Sequence, residues 1–127
     1  MTNGKKKGKR GELELCQVLK GHFGWDAQRS VQYNGNAGDA DLVVQGVPEI
    51  FVECKRVQAL NLPKAMSLAV QQAGPSKTAI VCHRRNNEPW LVTCQMSDLL
   101  NLCQIMLQAS RPTPPGPSAA CSGPGTT

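Results

Sequence analysis

Aromatic side chains are scarce: the 127 residues include two Trp, two Phe and one Tyr, 4% of the total. With so few rings, readout of single strands by base stacking is not indicated. There are only two histidines, and none of the six cysteines sits in a CxxC or in a Cys/His pair with zinc spacing, which leaves out zinc fingers and ribbons. No apolar run approaches the length of a membrane span. The basic N-terminus is not followed by an apolar segment, so it does not read as a secretory signal. No internal repeat is present, which excludes a solenoid. Acids are in deficit, 9 against 14 Lys and Arg, giving a formal charge of +5. That surplus suits a polyanionic partner without proving one.

What is present fits one domain around one core. Cys16, Cys54, Cys82, Cys94 and Cys103 lie in apolar runs, where a reduced thiol behaves as a small hydrophobe. Free thiols imply a reducing compartment, so the expected location is the cytoplasm. Three regions follow from composition. Residues 1–10 are a basic, glycine-bearing arm, expected to be mobile in isolation. Residues 11–108 form the folded domain. Residues 109–127, rich in Pro, Gly, Ser and Thr, are a tail expected to be disordered.

Hydrophobic periodicity predicts a first helix over Glu12–Phe23, with Leu15, Cys16, Leu19 and Phe23 in one stripe. Glu12 falls in the middle of that stripe and Glu14 on the opposite, wet side. Gly24 stops the helix. Trp25–Tyr33 reads as extended, and Asn34–Gly38 as a turn. Asp41–Gln45 and Glu49–Arg56 read as strands joined by Gly46-Val47-Pro48 into a hairpin. Pro63 opens a second helix that ends at Gly74-Pro75, with Met66, Ala69, Val70 and Ala73 on one face and Leu68 off it. Thr78–Cys82, apolar without alternation, is a strand buried on both faces. His83–Asn87 reads as a polar turn and Trp90–Cys94 as a short strand. Ser97 is placed to cap a last helix, Asp98–Leu107, which is apolar nearly all round and so is either wedged in the core or paired with another subunit. The layering is α/β: a central mixed β-sheet flanked by helices.

The chemistry concentrates at Asp41 and, eleven residues further on, Glu53-Cys54-Lys55. Alternation along a strand puts Glu53 and Lys55 on one face and Cys54 on the other. Three ionisable groups set against a hydrophobic sheet are costly unless they bind something. A divalent ion and a phosphate would satisfy all three. Magnesium favours one or two carboxylates with positions left for water. Asp41 and Glu53 can provide these, the backbone carbonyl of Cys54 a third ligand, and Glu12 another carboxylate directly or through water. Manganese would serve in the same set. Lys55 can stabilise charge building on a phosphate, or orient the attacking water. The bland alternative is a surface pair, Glu53 and Lys55, on the wet face of an edge strand, with Asp41 a turn residue. A glutamate in the middle of a helical apolar stripe weighs against it.

The chain resembles the PD-(D/E)xK nuclease superfamily, in its small Holliday junction resolvase branch, which includes phage-borne members. Gly8-Lys9-Arg10-Gly11-Glu12-Leu13-Glu14-Leu15 is similar to the family's basic, glycine-bearing segment leading into the acid of the first helix. Arg29-Ser30 resembles its arginine-containing strand. Gly38-Asp39-Ala40-Asp41-Leu42-Val43 resembles its Asp strand, and Val52-Glu53-Cys54-Lys55-Arg56-Val57 its Glu-x-Lys strand. Val81-Cys82-His83-Arg84-Arg85-Asn86, followed by Trp90-Leu91-Val92-Thr93, looks like the end of the domain in phage-type members. The similarity spans residues 5–107. It implies a restriction-endonuclease-like fold, magnesium dependence and a homodimer, with Glu12, Asp41, Glu53 and Lys55 as catalytic positions. Two departures stand out. Ala40 replaces the usual Pro before the Asp. The glutamine that relatives often carry on the second helix aligns with Leu68, with Gln71 and Gln72 one turn later.

Lys5, Lys6, Lys7, Lys9 and Arg10 precede Glu12 and are placed to hold DNA phosphates beside it. Arg29, Arg56, Arg84 and Arg85, at strand positions or strand ends, extend the candidate patch. His83 reads as a strand-end side chain and His22 as helix surface. Phosphate contacts carry no sequence code, so recognition of DNA by shape is expected; a four-way junction as the ligand is what the resemblance implies. Such an enzyme would hydrolyse phosphodiesters as a paired dimer, with no membrane partner. A general nicking or repair nuclease of the same superfamily, and a DNA-binding module without catalysis, are the alternatives.

Overall fold

The computed structural model describes residues 4–30 and 41–110, with side chains over 9–30 and 41–108. Helix α1 runs Gly4–Phe23 and is followed by strands β1 (Ala27–Arg29), β2 (Leu42–Val44) and β3 (Ile50–Arg56). Helix α2 (Leu62–Ala73), strands β4 (Thr78–Arg84) and β5 (Leu91–Thr93), a 3₁₀ turn (Met96–Asp98) and helix α3 (Leu99–Ser110) complete the described residues. The sheet order is β1-β2-β3-β4-β5, with β3 and β4 parallel and the other pairs antiparallel. Among the described residues this is the mixed sheet flanked by helices that the pattern predicts.

The strand alternation of β3 and β4 separates two cores. Ile50, Val52, Ile80 and Cys82 face α1 and α3, packing with Leu15, Leu19, Trp25, Leu42, Val44, Leu102 and Ile105. Phe51, Ala79 and Val81 face α2, packing with Met66, Ala69 and Ala73. Thr78 through Cys82 are all buried, as a strand covered on both faces requires. Fully burying each of the larger side chains contributes about 1.5–3 kcal/mol, so the two layers together hold the sheet rigid beneath the site.

Local chemistry explains the joints. Gly24 N–H closes α1 onto Lys20 O at 3.0 Å. Between β2 and β3, Val47 N–H reaches Val44 O at 3.1 Å, and Gly46 holds φ +78° at the third position of that turn, where a side chain would be strained. Asn61 caps α2 by accepting from Lys64 N–H at 3.2 Å, with Pro63 in the first turn.

Several expectations need correction. α1 begins at Gly4, not Glu12, so the described part of the basic arm continues the helix backbone. Lys5, Lys6 and Lys7 lie on that extension, and their side chains fall outside those described. Residues 31–40 and the tail from 111 also fall outside the described residues. His83 and Arg84 belong to β4 rather than to a turn. Ser97 caps nothing: the chain already turns at Met96, and the residue preceding that turn, Gln95, makes no side-chain cap bond. α3 is only half apolar-covered, with Leu102 and Ile105 buried and Leu99, Leu100 and Leu107 exposed. Cys103 is exposed as well, while Cys16, Cys54, Cys82 and Cys94 are free thiols at buried or half-buried positions.

Candidate active site

β2 and β3 bring the acids together. Leu42 pairs with Val52, which brings Asp41, the residue before β2, beside Glu53 and Cys54 of β3. Asp41 is fastened by its backbone on both sides: its N–H donates to Val52 O at 3.1 Å, and its carbonyl accepts from Ser30 N–H at 2.9 Å. Its side chain turns along β3, where Oδ2 accepts from the Cys54 N–H at 2.9 Å. The N–H and C=O of one strand residue point to the same side, so the Cys54 carbonyl is aimed past the start of β2, toward the Asp41 carboxylate. Glu53 and Lys55 share the α2 side of β3, and Lys55 Nζ stands 3.4 Å from Glu53 Oε2. Cys54 packs on the other side against the α1 core.

Glu12 reaches the same region from α1. Its Oε1 accepts from Arg29 Nε at 2.8 Å, and its charge acts on both Asp41 and Glu53. Burial pushes the Asp41 carboxyl up to about 6; the Cys54 amide opposes this, Glu53 and Glu12 add to it, and Lys55 pulls it down. Burial likewise raises Glu53, against the pull of Lys55. Burial and neighbouring acids thus favour protonation of both groups, Glu53 and Glu12 acting on Asp41 and Glu12 on Glu53, and positive charge placed between them would relieve both. Burial drives the Cys54 thiol far upward, with Asp41 next in effect, so its contribution is its backbone.

Among the described residues no group of three or more His, Cys, Asp or Glu side chains could hold a metal ion. Glu12 is held by Arg29 rather than turned in as a third direct ligand. Magnesium asks for less: one or two carboxylates and a shell completed by water. Asp41 and Glu53, with the Cys54 carbonyl beside them, fit that requirement: both are half-buried acids whose charge is disfavoured where they stand.

The basic residues divide into two kinds. Arg29 is bound to Glu12. Arg56 Nε lies 3.0 Å from Glu14 Oε1 and Arg84 Nη1 lies 2.7 Å from Glu14 Oε2. Glu14 is thus an inter-element anchor rather than a solvated face. Lys9, Arg10 and Arg85 are exposed. Gln71 and Gln72 are exposed on α2, and Leu68 is 46% exposed. His83 shares a hydrogen bond of 2.8 Å with Thr93 Oγ1, and burial lowers its pKa. A cleft of about 790 Å³ lies beyond Lys55 rather than over the acids; Val57, Gln58, Leu62, His83 and Arg85 help to line it.

A mixed five-stranded sheet flanked by helices, with Glu53 and Lys55 on β3, Asp41 just before β2 and Glu12 on α1, is the α/β architecture expected from the sequence. A solved structure bears this out: Hjc, a Holliday junction resolvase from the hyperthermophilic archaeon Archaeoglobus fulgidus, has the same fold, with a TM-score of 0.52 over 69% of this chain and 72% of that one. At 22% identity the likeness is one of fold. No protein-family model and no curated protein matches the sequence.

Proposed function

We propose that this chain is a magnesium-dependent, structure-selective DNA endonuclease that resolves four-way junctions as a homodimer. One observation carries the reading: Asp41, just before β2, lies beside Glu53 and Lys55 of β3, with Glu12 near them, on a fold shared with a junction resolvase. Manganese would serve in the same place. When bound, such an ion supplies Lewis acidity toward the phosphate and lowers the pKa of coordinated water. Asp41, Glu53 and the Cys54 carbonyl would hold it. Lys55 then donates to a phosphate oxygen as charge builds there, an interaction that strengthens in the transition state. Glu12, kept by Arg29, adds negative charge at the rim of the site. The products carry 5′-phosphate and 3′-hydroxyl ends.

Lys9, Arg10 and Arg85 are free to meet phosphates, with Lys5, Lys6 and Lys7 further along α1. The pairing of two subunits is supported by apolar side chains left exposed on the edge strand, the 3₁₀ turn and the last helix. Leu91 is 54% exposed, Met96 90%, Leu99 50% and Leu100 73%, and a second copy would cover them. No helix among the described residues is long and apolar enough to cross a membrane. The test is a mobile synthetic four-way junction with magnesium, run beside linear duplex and flap DNA. Preferential, paired nicking of the junction supports the reading. Equal cutting of all three substrates would point to a general nicking nuclease instead.

A further inference from the structure

Arg56 and Arg84 are register partners on the parallel strands β3 and β4, and both point toward α1. Like charges side by side on a sheet repel. Glu14 answers both at once, giving Oε1 to Arg56 at 3.0 Å and Oε2 to Arg84 at 2.7 Å. The side chains are 36% exposed for Glu14, 22% for Arg56 and 20% for Arg84, so the fork is better shielded than a surface pair. Arg84 Nε also donates to Glu88 O at 2.7 Å, which ties the fork to the β4–β5 turn. One helical turn before Glu14, the backbone of Gly11 presses on the same strand: a Cβ there would stand 3.0 Å from Arg56 Cβ.

Glu12 and Glu14 are two residues apart, about 200° around the helix axis. α1 is therefore gripped on two flanks, by β1 through Glu12–Arg29 and by β3 and β4 through Glu14. A roll of about 20° would sweep a side-chain tip by about 2 Å. Displacements near 1 Å in a catalytic constellation cost on the order of 100-fold in rate. We propose that Glu14 is a positioning residue: its fork onto Arg56 and Arg84 sets the roll of α1 and so holds Glu12 at the Asp41/Glu53 site. This rests on the nuclease reading above, and it makes Glu14 act through Glu12 alone.

The experiment is a double-mutant cycle with two readouts, junction cleavage with magnesium and manganese binding by calorimetry. Glu14→Gln lowers kcat by about 10- to 100-fold, raises KM for the junction less than threefold, and weakens manganese binding. Introduced into Glu12→Gln, it has no further effect on either readout. Gly11→Ala is the second variant: alanine favours the helix, so the fold persists while α1 is pushed off Arg56, and the same losses appear in smaller measure. Three results would overturn the proposal. Glu14→Gln lowers Tm but leaves kcat and manganese affinity intact; it raises only KM; or its effects add fully to those of Glu12→Gln. If the wild-type chain binds no manganese and cuts nothing, the nuclease reading falls and takes this proposal with it. If only the Glu14 variants fail, that reading stands.

Discussion

The backbone amide of Cys54 and the side chain of Asp41 are joined by a 2.9 Å hydrogen bond across the end of the β2–β3 hairpin. That bond fixes Asp41 where burial and two neighbouring acids make its charge costly, raising its pKa to about 6. The strain of holding a charge there is what a cation would relieve.

Asp41→Asn should therefore separate stability from activity. Asparagine keeps an oxygen for the Cys54 amide but carries no charge. A carboxyl whose folded pKa lies above its unfolded value destabilises the fold once it ionises, so the penalty is present above about pH 6 and fades as pH falls toward 3.8. At pH 8 without metal the variant should be more stable than wild type by on the order of 2 kcal/mol, several degrees in Tm. Near pH 4 the gap should close. Magnesium should raise the Tm of the wild type and not of the variant. An equal Tm for both proteins across this range would contradict the account of Asp41.

Lys55 faces Glu53 at 3.4 Å and, with its side chain 39% exposed, is open to solvent on the side a phosphate would approach in the proposed reaction. Lys55→Ala should lower single-turnover cleavage by at least about 100-fold, the scale of a lost charge-stabilising group. Junction affinity, measured with calcium in place of magnesium, should change by less than about threefold. A loss confined to affinity would make Lys55 a binding residue only.

The arginines should divide as their partners do. Arg10→Ala and Arg85→Ala should weaken binding to all DNA alike and each lower the salt slope of log K by about 1. Arg56→Ala and Arg84→Ala, whose guanidinium groups are held by Glu14, should instead lower thermal stability while leaving that slope nearly unchanged. Filter binding over a salt series, beside melting curves, tests both halves.

Met96 and Leu100, exposed by 90% and 73%, should lie under a second subunit. Leu100→Asp should give a monomer by analytical ultracentrifugation, with paired cutting reduced to single nicks. A wild-type chain that sediments as a monomer at working concentration would remove the dimer from the proposal.

Much of this was legible in the sequence because its physics is local. Glu53 and Lys55 share a face through strand alternation, and the buried run Thr78–Cys82 announces a strand covered on both sides. Leu15 and Leu19 set the buried face of α1 through helical periodicity, and Glu12 follows from it. Glu14 was misread as solvent-facing because its partners, Arg56 and Arg84, lie 42 and 70 residues away, where no periodicity reaches. The engagement of Arg29, Arg56 and Arg84 by glutamates was hidden for the same reason. The start of α1 at Gly4 was missed because a glycine-bearing lysine run has weak helix propensity. Ser97 carries a sound capping signal, but the chain begins to turn one residue earlier, at Met96.

The central claim is that Asp41, Glu53 and Lys55 form one hydrolytic site, and cleavage of a mobile four-way junction in magnesium by the wild type, Asp41→Asn and Glu53→Gln tests it most directly. The wild type should nick two opposing strands, and both variants should bind the junction without cutting it. A wild-type protein that leaves the junction intact, or an Asp41→Asn variant that cuts at the full rate, would contradict it.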